Sequence, residues 1–180
     1  MMNLLQSLPP FAGNSHIANV VIDTPKGNRN KFAYDRERKA YLLKTVLPAG
    51  STFPFDFGSI AGTIADDGDA LDVLVLMEEP AFVGCLVESR LIGVIEAKQT
   101  EDGQSERNDR LIAVAAESHT HRGIKKLSDL DSTLVKEIEY FFVSYNAQRG
   151  KKFKPIGRHG PKRARQLVKA CMATADNGNR

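Results

Sequence analysis

The chain has 180 residues, of which 42% are hydrophobic and 26% charged, and a net charge of +3. This balance excludes a disordered chain, and the charge alone gives no ground for a nucleic-acid partner. Two cysteines, Cys85 and Cys171, are too few and too far apart in sequence for a disulfide framework or a cysteine zinc site.

In chain order, residues 1–15 read as an irregular arm broken by Pro9, Pro10 and Gly13. The arm lacks a basic stretch followed by a long apolar one, and no apolar run elsewhere is long enough to cross a bilayer. The expected setting is the cytoplasm, without a membrane partner. Residues 19–24 form a β-type run ended by Pro25 and Gly27. Residues 31–35 and 40–46 predict a strand pair joined by a charged turn. A glycine-rich loop follows, then a strand near residues 71–77. Residues 84–100 are a long β-rich segment, bent at Gly93; residues 101–108 read as a polar loop and 110–116 as another strand. Residues 131–149 carry Leu134, Ile138, Phe141, Phe142 and Tyr145 at helical spacing, with Asp131 or Ser132 as cap and Gly150 as stop. Residues 161–173 predict a second helix opened by Pro161, with a stripe of Ala164, Leu167, Val168 and Cys171. Residues 176–180 read as a frayed end. Strands at short spacing followed by helices predict an α+β chain: a small β-barrel with flanking C-terminal helices, in one domain with its core at about residues 19–173.

The chemistry concentrates in residues 66–72. Asp66, Asp67, Asp69 and Asp72 crowd into seven residues, and Asp72 lies inside the apolar run ALDVLVLM. In an extended chain Asp67 and Asp69 share one side and Asp72 takes the other, so all three converge only if the chain turns, which Gly68 permits. Converging carboxylates repel one another, and hard divalent cations such as Mg²⁺ relieve that repulsion. A solvated acidic turn is the competing reading. Asp72 argues against it, because a carboxylate in an apolar run needs a partner and no Lys or Arg is near in sequence. An EF-hand fails, since the sixth position counted from Asp67 is Asp72 rather than glycine.

An acidic metal cradle implies an anionic substrate, and Lys26, Arg29, Lys31, Lys44 and Arg110 are cations available for it. The block from residue 150 to 165 holds seven of the 25 Lys and Arg; with Phe153 as its one aromatic residue and no nucleic-acid motif, it reads mostly as solvated surface. His119 and His121 alone are too few for a zinc site.

The segments PKGNRNK (25–31), FPFDFG (53–58), DGDALDVLV (67–75), IGVI (92–95) and DRLIAV (109–114), in this order and spacing, resemble soluble family I inorganic pyrophosphatase, from about residue 19 to 153. The resemblance implies a five-stranded, OB-like barrel and Mg²⁺-dependent hydrolysis of pyrophosphate to two phosphates, with several ions per site and Mn²⁺ as a substitute. It implies metal binding by Asp67 and Asp72, with Asp69 as the general base on water. It carries phosphate binding to Lys31 and Tyr145, with Arg110 and Lys44 as further phosphate-binding cations, and a supporting carboxylate to Asp23. It also implies a homo-oligomer, often a hexamer in bacteria.

Several positions depart from the family pattern. An acidic residue is replaced by Ala33. Two tyrosines are replaced by Phe53 and Phe57. A metal aspartate falls at Asn108, with Asp109 one place along as the substitute ligand, and a lysine becomes Arg110. A second metal aspartate aligns with Gln99, Glu101 or Asp102, of which Asp102 is the expected ligand. A lysine after the helix tyrosine is Asn146, for which Lys151 or Lys152 would compensate. These departures keep two further readings open. One is a non-catalytic descendant that binds phosphate or a partner. The other is a hydrolase for a nucleotide, whose base would stack on Phe53 and Phe57.

Overall fold

A computed structural model describes residues 8–35 and 37–177, with side chains through Met172. The arm before Leu8, Arg36 of the charged turn and the end after Asn177 lie outside the described residues. Nine strands and two helices follow in the order β1 (Ile17–Thr24), β2 (Asn30–Asp35), β3 (Ala40–Val46), β4 (Asp56–Ile60), β5 (Asp72–Leu76), β6 (Leu86–Glu101), β7 (Gln104–Arg107), β8 (Arg110–Ala115), α1 (Ser132–Ala147), β9 (Lys152–His159) and α2 (Pro161–Asn177). A short 3₁₀ turn, Leu127–Asp129, precedes α1.

Five strands close a ring. β1 pairs with β4, β4 with β5, β5 with β8, β8 with β6, and β6 returns to β1. All pairings are antiparallel except β5 with β8, which run parallel. This is the expected five-stranded OB-like barrel with its helices alongside.

Strand alternation sorts the apolar residues onto two faces. Leu74, Leu76, Ile112, Val114, Ile92 and Ile95 pack with Val135, Ile138 and Phe142 of α1. Val73, Val75, Leu111, Ala113 and Val94 pack with Ala164 and Val168 of α2. Burying a side chain such as Leu74 or Phe142 contributes about 1.5–3 kcal/mol. Both strand faces are therefore apolar, which is why β5 and β8 read as continuous hydrophobic runs. Asp131 is the residue that caps α1, accepting the backbone N–H of Thr133 at 2.7 Å and of Leu134 at 3.4 Å. Gly150 follows the helix in the left-handed region, at φ 74°.

Three strands were not legible in the sequence. β4 reads as a glycine-rich loop, yet it is paired on both sides; a Cβ on Gly58 would fall 2.2 Å from the Val21 carbonyl oxygen, so glycine allows β1 to approach. The polar loop at 101–108 contains β7, which turns back on the end of β6 as a hairpin. Part of the basic block is β9, which pairs with the outer half of β6. The bend expected at Gly93 is a register shift in the β6–β8 ladder between Leu91 and Gly93.

Candidate active site

The parallel register of β5 and β8 creates the site's central contact. Val73 lies opposite Leu111, so Asp72 and Arg110 stand beside each other at the start of the two strands. Their parity is that of Leu74 and Ile112, which places both on the face toward α1. Arg110 donates from Nη1 to Asp72 Oδ2 at 2.6 Å. The partner missing from the neighbourhood of Asp72 in sequence is thus supplied by a residue 38 positions away. Arg110 is 4% exposed and also donates to the side-chain oxygen of Asn108. Asn108 in turn donates to Gln99 Oε1 at 2.8 Å.

An aromatic layer lies beneath the cations. The Arg110 guanidinium carbon is 5.0 Å from the Phe142 ring centre and 5.4 Å from that of Phe153. Lys31 Nζ is 5.0 Å from the Phe57 ring centre. Phe57 packs on Phe53 and Phe142, and Phe53 packs on Tyr145. Attraction between cation and ring face fixes the two charges over one surface. The buried Tyr145 hydroxyl accepts from Arg149 at 3.0 Å. Phe53 and Phe57 are only 1% and 3% exposed. They are core residues, and a nucleotide base has no ring face to stack on there, which removes the motive for that reading.

Beside Asp72 opens a cleft of 270 Å³ whose lining includes Asp66, Asp67, Asp72, Asp109, Arg107 and Arg163. Asp67 and Asp69 sit on the turn before β5, where Gly68 takes φ 83° and the Asp69 N–H bonds Asp67 Oδ1 at 3.0 Å. Desolvation raises the Asp67 carboxyl above its ordinary range; the Asp69 N–H opposes this, and the charges of Asp69, Asp72 and Glu106 add to it. Asp23 is more strongly affected. Burial first, then the charge of Asp72, pushes it up to about 7 against the pull of Lys31 and Ser59. Asp23, Lys31 and Asp72 therefore share one electrostatic neighbourhood. Among the described residues, no three His, Cys, Asp or Glu side chains converge tightly enough to hold a metal as they stand.

Other predicted residues fall elsewhere. Asp69 is exposed on the turn, and it is Asp67 and Asp72 that reach the cleft. Asp109 lines the cleft but is engaged, accepting from the Ala97 N–H at 2.9 Å and from Arg107 at 2.9 Å. Asp102 is corrected as a site residue: it is exposed at the tip of the β6–β7 hairpin, at φ 50°, and Gln99 is the residue facing Asn108. Lys44 is likewise not brought in. The register shift opposite Lys31 and Phe32 leaves it unpaired on β3, within range of Asp35. Asn146 is buried and bonds the Phe142 carbonyl within α1. Lys151 pairs with Glu101 at 2.6 Å.

One cluster was missed. Glu96 gathers Arg163 at 2.7 Å, Arg107 at 3.2 Å and His159 at 3.5 Å, and Arg107 also bridges to Asp109 at the cleft. The available signal was Glu96 itself, a lone carboxylate in the apolar run at 91–97, the same sign that marks Asp72.

Known proteins share this fold. The family model described as inorganic pyrophosphatase matches residues 20–176. The inorganic pyrophosphatase of Thermus thermophilus is 35% identical over 172 residues, covering 94% of this chain and 96% of that protein. That of Synechocystis is 32% identical over 163 residues, covering 91% and 94%. The crystal structure of the Thermus thermophilus pyrophosphatase superposes with a TM-score of 0.87 at 33% identity, covering 97% of this chain and 99% of that one. One from Neisseria gonorrhoeae gives 0.84 at 32% identity, covering 95% and 98%. With the family pattern spanning nearly the whole described barrel, this chain belongs to the inorganic pyrophosphatase family.

Proposed function

We propose that this chain hydrolyses inorganic pyrophosphate to two phosphates with the help of Mg²⁺, several ions per site, with Mn²⁺ able to stand in. The observation that carries the reading is the carboxylate group at the mouth of β5 set against Lys31 and Arg110 on their aromatic layer. The donor set fits hard cations, because Asp67, Asp72 and Asp109 offer only carboxylate oxygens along one cleft. Asp67 and Asp72, with Asp109, would hold the ions. Bound there, divalent ions supply Lewis-acid charge neutralisation and make water acidic enough to ionise near neutral pH.

The remaining work falls to the chain. Asp69, exposed and free to swing on its turn, takes the proton of the attacking water. Lys31 and Arg110 bind oxygens of the phosphates and spread the charge that develops on the leaving group. The Tyr145 hydroxyl, held by Arg149, lies on the same aromatic layer and orients the phosphate. Asp23 keeps Lys31 aimed at the site. No protein nucleophile is required, since phosphoryl transfer depends mainly on positioning and electrostatics. Lys44 and Asp102 have no part in this reading. The binding-protein alternative draws no support from the relatives, which are named as pyrophosphatases. The reading also carries a cytoplasmic homo-oligomer, with a hexamer as its specific form, to be checked by light scattering.

The test is Asp69→Asn. An exposed side chain tolerates this change, so the melting temperature stays at the wild-type value while kcat falls by about 100-fold or more. Wild-type turnover in the variant would remove Asp69 from the role of base.

A further inference from the structure

The wall that faces the aspartates carries less negative charge than an all-carboxylate metal cradle. Gln99 and Asn108 are neutral amides bonded to each other, and Asn108 is bonded to Arg110. Arg110 is a permanent cation, buried, seated on Phe142 and Phe153 and ion-paired to Asp72. Its Nε is buried without a partner among the described residues, so the guanidinium is held by its Nη1 side alone. One oxygen of Asp72, Oδ2, is therefore occupied by a fixed positive charge.

We propose that Arg110 is a resident cation of the acidic site, holding Asp72 in the place of a divalent ion, so that metal binding must first displace it. This rests on the reading of Asp67 and Asp72 as metal ligands. Three consequences follow from the charges. The metal-free site is relieved of part of its carboxylate repulsion. Divalent ions bind it weakly in the absence of pyrophosphate, because they compete with a guanidinium for the same oxygen and then sit beside an uncompensated positive charge. Pyrophosphate, by drawing Arg110 onto its own oxygens, releases Asp72 and tightens metal binding. Metal and substrate are thereby coupled through one side chain, and the coupling is reciprocal.

The amides have a defined part in this arrangement. Asn108 accepts from Arg110 and donates to Gln99, so the guanidinium is tethered at a neutral post from which it can turn. A carboxylate at Asn108 would instead add a second strong anchor for Arg110.

The experiment measures free Mn²⁺ by electron paramagnetic resonance during titration of the metal-free protein, without pyrophosphate. Wild type is compared with Arg110→Met, which keeps an apolar stem on the Phe142 and Phe153 rings but carries no charge. The variant is expected to bind Mn²⁺ about tenfold more tightly or better, given the removal of a like charge in direct contact with the ligand. Equal or weaker binding by the folded variant overturns the proposal. Should that variant not fold, the wild type is followed by its arginine side-chain ¹⁵N resonances, with Arg110→Lys identifying the signal. The Arg110 signal is expected to shift as Mg²⁺ saturates the protein. A signal that stays fixed while Mg²⁺ binds overturns the proposal. Absence of Mn²⁺ binding in wild type and variant alike would instead strike at the metal site itself.

Discussion

At the scale of single residues, two carboxyls matter most, Asp23 on β1 and Asp72 on β5, with β4 between their strands. Asp23 is buried and raised to about 7, first by burial and then by Asp72. A carboxyl whose folded pKa lies above its unfolded value holds its proton longer in the folded state. The fold therefore loses stability as pH rises from 3.8 through about 7. Asp23→Asn removes that cost. It is expected to raise the melting temperature of the metal-free protein at pH 8, by an amount corresponding to on the order of 2–4 kcal/mol, and by less at pH 5. Equal gains at both pH values in a thermal melt would contradict the assignment. Asp72 has a fixed partner in Arg110. Asp72→Asn leaves Arg110 buried without its anion, which costs roughly 3 kcal/mol or more in urea unfolding, and it is expected to bring pyrophosphate turnover near to zero while the far-ultraviolet spectrum keeps its native form. Full turnover would remove Asp72 from the metal site. Asp72 was legible in the sequence because a charge in an apolar run demands a partner. Which partner was not, since Arg110 lies on another strand and only the parallel register brings them together.

Among the elements, legibility followed local pattern. α1 was readable from its stripe and its cap, and β1, β2, β3, β5, β6 and β8 from apolar runs bounded by turn residues. β9 was not, because four of the eight residues in KFKPIGRH are Lys, Arg or His and only Phe153 is buried, so its strand form depends mainly on pairing with β6. Its charges, which read as solvated, are partly paired: Arg158 donates to Glu139 through two bonds, at 2.7 and 2.8 Å. β6 is the hub of this layer, pairing with β1, β7, β8 and β9. Its bend depends on Gly93, where a Cβ would lie 2.5 Å from the His159 carbonyl oxygen and 2.8 Å from Leu127 Cβ. Gly93→Ala is expected to destabilise the protein by roughly 2–4 kcal/mol, since the first clash is with backbone that cannot rotate away. A urea midpoint unchanged from wild type would show that β9 yields more easily than this packing implies.

For the whole molecule, closure of the ring explains why a short acidic turn becomes a site. β5 lies between β4 and β8, so the mouth of β5 faces residues from β1, β2 and β8 at once. Asp23 comes from β1, Lys31 from β2, Asp72 from β5 and Arg110 from β8, while α1 and β9 supply the rings beneath. The aspartates at the mouth of β5 were legible because Asp67, Asp69 and Asp72 are close in sequence. The wall opposite was not: a hairpin at 101–108 sends Asp102 outward, and Asn108, just past β7, bonds diagonally to the side chain of Gln99, whose register partner is Glu106. The central claim is that this assembly is a metal-dependent pyrophosphatase. It is tested most directly by phosphate release from pyrophosphate by the wild-type chain across a Mg²⁺ titration, beside a sample stripped with chelator. The account predicts release that rises with Mg²⁺ and stops in the chelated sample. No release at any Mg²⁺ or Mn²⁺ concentration would contradict it.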